Sequence, residues 1–159
     1  MARVDLPEGD GDELLRLYAL SPAMGAAAGN FSAAVYTDTK LSTRVREAAR
    51  IRIADVNQCM VCLDTRTTSD PQGLTEAEYL GMAEWRSLDT LSDQEAMAAE
   101  FAERFATDHL NMDDEFWYRA RAVFTDTELF ELGVCCASWV GLGRVTQVFD
   151  AGVSCRIEF

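Results

Sequence analysis

The chain has 159 residues, 27 acidic and 14 basic, with a formal net charge of −13 at pH 7. Its length fits one domain, residues 1–159, able to bury a core without covalent staples. The acidity excludes a nucleic-acid footprint, which needs cations against phosphate, and disfavours an anionic bilayer surface.

Every long segment reads as helix. Residues 1–9 form a loose lead, and Leu14, Leu15, Leu17 and Tyr18 make a short apolar stripe that stops near Ser21-Pro22. A second helix runs to about Tyr36 and is rich in Ala and Gly, which implies close packing on a neighbour or a local bend. A third starts at Leu41-Ser42, with Arg44, Arg46, Arg50 and Arg52 interleaved among Val45, Ala48, Ala49, Ile53 and Val56. Capping-box patterns at Thr75-x-x-Glu78, Ser92-x-x-Glu95 and Thr125-x-x-Glu128, with a weaker one at Asn111-x-x-Asp114, predict helices over 76–85, 93–107, 113–123 and 126–142. The last is the most apolar and is expected to be the most buried helix, or to bury a second face on another subunit. It continues to about Phe149, and residues 153–159 then alternate like a strand without a partner. The fold class is all-α, about seven helices.

Chemistry concentrates at Cys59-Met60-Val61-Cys62. A Cys-x-x-Cys pair can close and reopen a disulfide or hold half of a soft-metal site. The single histidine, His109, could complete a zinc site only with Cys59, Cys62 and one of Cys135, Cys136 or Cys155, at no recognised spacing. Redox use is the better reading, and no metal or cofactor is expected. Cys135 and Cys136, in an apolar helix, read as small hydrophobes. No apolar run is long enough to span a membrane, and the N-terminus turns acidic at Asp5 and Glu8 without a signal-peptide stretch. A cytoplasmic, reducing setting is expected, with free thiols and at most one functional pair.

A helix unbroken from Ser42 to Arg66 would hold Glu47 about 18 Å from Cys59 along the axis. A break at Val56-Asn57-Gln58, with Asn57 as the new N-cap and Cys59 at the second helical position, can turn Glu47 back toward the sulfurs. It also sets Arg66, four residues past Cys62, on their side as a positive charge. The alternative leaves Glu47 on a solvent face, paired with Arg50 or Arg44.

Residues 41–66, LSTRVREAARIRIADVNQCMVCLDTR, resemble the carboxymuconolactone decarboxylase-like family, especially its alkylhydroperoxidase AhpD-like branch. Glu47, Cys59 and Cys62 fall on three positions of that family's glutamate, Cys-x-x-Cys and histidine pattern, and Gln58 stands where a glycine is common. The segment from Asp113 to Leu132 resembles the family's C-terminal helices, so the likeness covers most of residues 20–149. The resemblance implies an AhpD-like helical bundle that works as a homo-oligomer, a trimer or hexamer. It also implies thiol-dependent peroxidase activity. Cys62 attacks a small hydroperoxide and becomes a sulfenic acid, and Cys59 condenses with it. A dithiol reductant protein or small thiol then restores both. Glu47 serves as general base.

Arg66 departs from the pattern, standing where the family has histidine. Arginine supplies charge but cannot relay a proton near neutral pH. The competing readings are a related disulfide oxidoreductase, a non-enzymatic oligomeric helical ligand-binding module with Cys59 and Cys62 as core residues, and a lactone decarboxylase-type enzyme. The last is disfavoured because that branch does not need the redox pair.

Overall fold

A computed structural model describes residues 2–67 and 70–151. These form eight α-helices and two 3-10 turns, and no strand occurs among the described residues. The helices are α1 (Glu13–Ala19), α2 (Pro22–Thr37), α3 (Thr43–Val56), α4 (Met60–Asp64), α5 (Glu76–Gly81), α6 (Asp93–Thr107), α7 (Asp114–Val123) and α8 (Asp126–Val148). The strand-like alternation over 153–159, and Cys155 with it, lies outside the described residues.

Local chemistry explains most of these boundaries. Thr75, Ser92 and Thr125 each close a complete capping box, starting α5, α6 and α8 where expected. The start of α7 differs: Asp113, not Asn111, is the N-cap, its carboxylate accepting from Phe116 N–H at 2.9 Å. That start leaves Phe116 and Ala120 completely buried. The helix expected over 76–85 gives way at Met82 to a 3-10 turn, Met82–Ser87. Small residues in α2 do serve close packing, since a Cβ at Gly25 would run into the Tyr18 carbonyl oxygen of α1.

The most buried helix is α3, not the apolar α8. One side of α3, with Val45, Ala49 and Ile53, joins a core built with α6, α7 and α8 around Phe101, Phe116 and Leu132. Its other side, with Ala48 and Ile51, joins a second cluster around Tyr79, Met82 and Trp85. A helix covered on both sides must find partners for most polar groups it carries, and Arg46, whose buried Nε has no hydrogen-bond partner among the described residues, rests its guanidinium on the Tyr36 ring instead. Helix α8 instead presents one stripe inward (Leu129, Leu132, Cys135, Cys136) and leaves Phe130 and Val148 exposed. By length and composition alone α8 could cross a membrane, but in the bundle it packs on α2, α3 and α6.

The arginines are turned largely toward carboxylates. Arg44 reaches Glu95 (2.7 Å) and Glu78 (2.8 Å), the third residues of the α6 and α5 capping boxes, and so ties α3 to two helix starts. Arg44 holds the Glu78 carboxyl down to about 2. Burial opposes the charge on Glu103, but bonds from Arg86, Trp85 and Arg52 outweigh it, and that carboxyl also falls to about 2.

Candidate functional site

The chain does break at 56–58. Asn57 is the C-cap of α3, Gln58 adopts a left-handed φ of 52°, and Cys59 begins α4. Gln58 N–H donates to Asp55 O and Cys59 N–H to Ala54 O, both at 2.9 Å, the crossed pair of bonds of a Schellman ending. The N-cap of α4 is therefore Cys59 itself, not Asn57, and Cys59 does not occupy the second helical position. Its sulfur accepts the Cys62 N–H at 3.3 Å. Asn57 is used on the other side, where its side chain accepts from Arg144 and donates to the Trp139 carbonyl. Cys59 and Cys62 are joined as a disulfide with Cα atoms 5.3 Å apart. Cys59 is buried and Cys62 half-buried.

Glu47 has none of its surface exposed. Arg50, one turn later, grips both carboxylate oxygens at 2.8 and 2.7 Å, and the Tyr79 hydroxyl donates to one of them at 2.8 Å. Burial disfavours the charge, but Arg50, Tyr79 and Thr67 together hold the carboxyl below its ordinary range. The phenol of Tyr79 is pushed up by burial and by that carboxylate, so it stays a donor. The pairing with Arg50 was foreseeable from spacing; the solvent face was not realised. Arg50 also donates to the carbonyls of Cys62 (2.8 Å) and Thr65 (2.9 Å). A chain of contacts thus runs from Glu47 through a guanidinium to the backbone of the Cys59–Cys62 pair. Sequence reasoning paired Glu47 with Arg50 but missed Tyr79 and the reach of Arg50 to the Cys62 and Thr65 carbonyls.

Arg66 lies beyond the end of α4. Its guanidinium bonds Leu63 O and Thr65 O, pairs with Glu76 at 2.9 Å, and sits 4.4 Å from the centre of the Tyr79 ring. Among the described residues none of its hydrogen bonds is to a sulfur. His109 is exposed, in a 3-10 turn after α6. Among the described residues no group of three His, Cys, Asp or Glu side chains is placed to hold a metal ion. Cys135 and Cys136 are buried free thiols, and burial pushes Cys135 up to about 11.

A cavity of about 540 Å³ opens between α1, α2, α3 and α8, walled mainly by apolar side chains. Cys62 and Arg50 contribute to its wall, together with Ile53, Leu142, Tyr36 and Trp139. The indole N–H of Trp139 donates to the Tyr36 hydroxyl at 3.1 Å, fixing one aromatic wall. Cys59 does not line the cavity and is the more buried residue of the pair.

No family model matches the sequence. It is 28% identical over 120 residues to the uncharacterised protein YnjA of Escherichia coli K12, a match covering 71% of this chain and 64% of YnjA. It is 25% identical over 96 residues to the uncharacterised protein YdfG of Bacillus subtilis 168, covering 59% and 65%. The chain thus spans a little under two thirds of the length of either relative.

Solved structures match over almost the whole chain. An Agrobacterium tumefaciens protein of unknown function, put forward as an AhpD antioxidant-defence protein, superposes with a TM-score of 0.75 at 19% identity, covering 94% of this chain and 96% of its own. The debrominase Bmp8 gives 0.77 at 16% identity (91% and 78%), and its cysteine-to-alanine variant has been solved with 2,3,4-tribromopyrrole. A peroxidase-related protein from Silicibacter sp. TM1040 gives 0.76 at 17% identity (94% and 90%). The fold is the AhpD/carboxymuconolactone decarboxylase-like helical fold. On that fold the Cys59–Cys62 pair is a disulfide, a bond that thiols can open and re-form.

Proposed function

We propose that the protein is a thiol-dependent peroxidase acting on apolar organic hydroperoxides. The observation that carries this reading is the position of Cys62, in reach of its partner Cys59 and on the wall of an apolar cavity. In the reduced enzyme the Cys62 thiolate attacks the terminal peroxide oxygen and the O–O bond breaks. The alkoxide leaves and takes up a proton as alcohol, and Cys62 becomes a sulfenic acid. Cys59 sulfur then displaces water to form the disulfide. A dithiol, a reductant protein or a small thiol, attacks Cys62, the less buried residue of the pair, and expels Cys59 as thiolate. The Cys62 N–H that already points at Cys59 sulfur stabilises that leaving group. Two electrons pass from dithiol to peroxide.

Glu47, charged and fully bonded, fits an anchor for Arg50 better than a free general base. A cytoplasmic, reducing location suits the cycle. The apolar backs of α2 and α8, with Met24 and Phe130 more than 70% exposed, support assembly as a homo-oligomer, a trimer or hexamer.

The test is consumption of cumene hydroperoxide with a dithiol reductant. Cys62→Ser is expected to abolish turnover, and Cys59→Ser to leave a sulfenic acid that dimedone traps. Full turnover by the Cys62→Ser variant would rule out the assignment. A second reading, thiol-driven removal of halide from a halogenated aromatic, draws on the debrominase likeness and the aromatic wall of the cavity. Bromide release from a brominated pyrrole under the same reductant distinguishes the two.

A further inference from the structure

We propose that Arg50 is a catalytic residue, its free guanidinium hydrogen binding the oxygen that leaves as alcohol when Cys62 attacks a hydroperoxide. The proposal rests on the peroxidase reading above and specifies how the site handles the leaving group. A guanidinium carries five N–H donors. Four of them are committed: Nε to Glu47, one on Nη1 to the Cys62 carbonyl, and two on Nη2 to Glu47 and the Thr65 carbonyl. Among the described residues, the second Nη1 hydrogen meets no partner.

Among the described residues that line the cavity Arg50 is the only charged one, and its Nη1 is already 2.8 Å from the Cys62 carbonyl oxygen. The rest of the wall is apolar or carries neutral hydroxyls and amides. In such surroundings a fixed cation acts most strongly where negative charge develops, and that place is the departing alkoxide. Glu47 and the two carbonyls hold the fork still, so the donor needs no reorientation during the reaction. Arg66 and Tyr79 do not line the cavity and cannot take this role. The burial of an Arg–Glu pair on α3, costly in itself, gains a reason from this chemistry.

The test is a leaving-group series. Reduced wild-type protein is mixed with hydroperoxides whose alcohols differ in acidity, and the logarithm of the oxidation rate is plotted against alcohol pKa. Dithiothreitol serves as the reference lacking a guanidinium. Wild type is expected to show a shallower slope than the reference. Arg50→Lys, which keeps the charge and loses the fork, is expected to steepen the slope and slow peroxide reaction roughly ten- to a hundredfold. Its alkylation by iodoacetamide, which expels no oxygen, should stay within about threefold of wild type. A wild-type slope equal to that of dithiothreitol overturns the proposal, even where Arg50→Lys fails to fold. Equal slowing of both reactions in Arg50→Lys also overturns it and leaves Arg50 a positioning residue. A wild type no faster than dithiothreitol toward every hydroperoxide overturns the peroxidase reading itself, and the proposal with it.

Discussion

Glu47 keeps its charge with no surface in water because three neighbours replace its hydration. Removing one member of such a pair strands the other, a change that costs about 3–5 kcal/mol. Glu47→Gln is therefore expected to lower urea-unfolding stability by about 3 kcal/mol, most of it from an unpaired Arg50. Because the folded carboxyl sits below its ordinary range, its contribution is present at neutral pH and is lost as pH falls below that range. Arg66 has a different character. The charge that spacing placed beside the thiolate is engaged with two carbonyls, Glu76 and the Tyr79 ring. Arg66→Ala is expected to cost about 1 kcal/mol, from a lost helix-end cap and a cation–π contact, while changing the peroxide reaction less than about twofold. Chemical unfolding and stopped-flow oxidation of the same variant check both halves.

At the scale of elements, the break between α3 and α4 decides where the cysteines lie. Gln58 makes that turn in a conformation which costs an ordinary residue about 1–2 kcal/mol and costs glycine almost nothing sterically. Glycine's greater entropy in the unfolded chain returns part of the gain, so Gln58→Gly is expected to stabilise by about 0.5–1 kcal/mol. A rise in melting temperature measures it, and a fall would mean that the Gln58 side chain has a role of its own. The break was legible because Asn57 and the cysteines marked it, but the cap was misassigned, since cysteine is an uncommon N-cap and no glycine announced the turn. Helices α5, α6 and α8 began where expected because a capping box is complete within four residues. Asp113 displaced Asn111 for a reason no local pattern carries: the start must bring Phe116 and Ala120 to the core. The Arg50–Glu47 pair was legible from its spacing, but Tyr79 escaped for the same kind of reason as Asp113. Tyr79 lies 32 residues from Glu47 in the chain and meets it only when α5 folds onto α3.

For the whole molecule, Glu78 and Glu103 are among the carboxylates that fasten α3 to α5 and α6, both lowered to about 2. Their stabilisation is complete above the ordinary carboxylate value near 4.5 and is lost as pH falls from there toward 2. Melting temperature is expected to be flat between about pH 7 and 5 and to fall steeply below about 4.5, as followed by circular dichroism. The inward turn of the arginines has another effect. With Arg44, Arg50 and Arg52 committed to internal carboxylates, the excess charge of −13 is carried by an outer coat that is more uniformly acidic than the composition alone suggests. Each molecule in solution is therefore surrounded by an excess of cations, and two molecules meeting through their apolar helix backs must push those ionic clouds together. At low ionic strength this repulsion reaches well beyond contact distance, whereas near 0.1 M salt it fades within about 10 Å. The proposed assembly should consequently tighten as sodium chloride is raised, the reverse of an oligomer held by salt bridges, and sedimentation at two salt concentrations reads the sign directly.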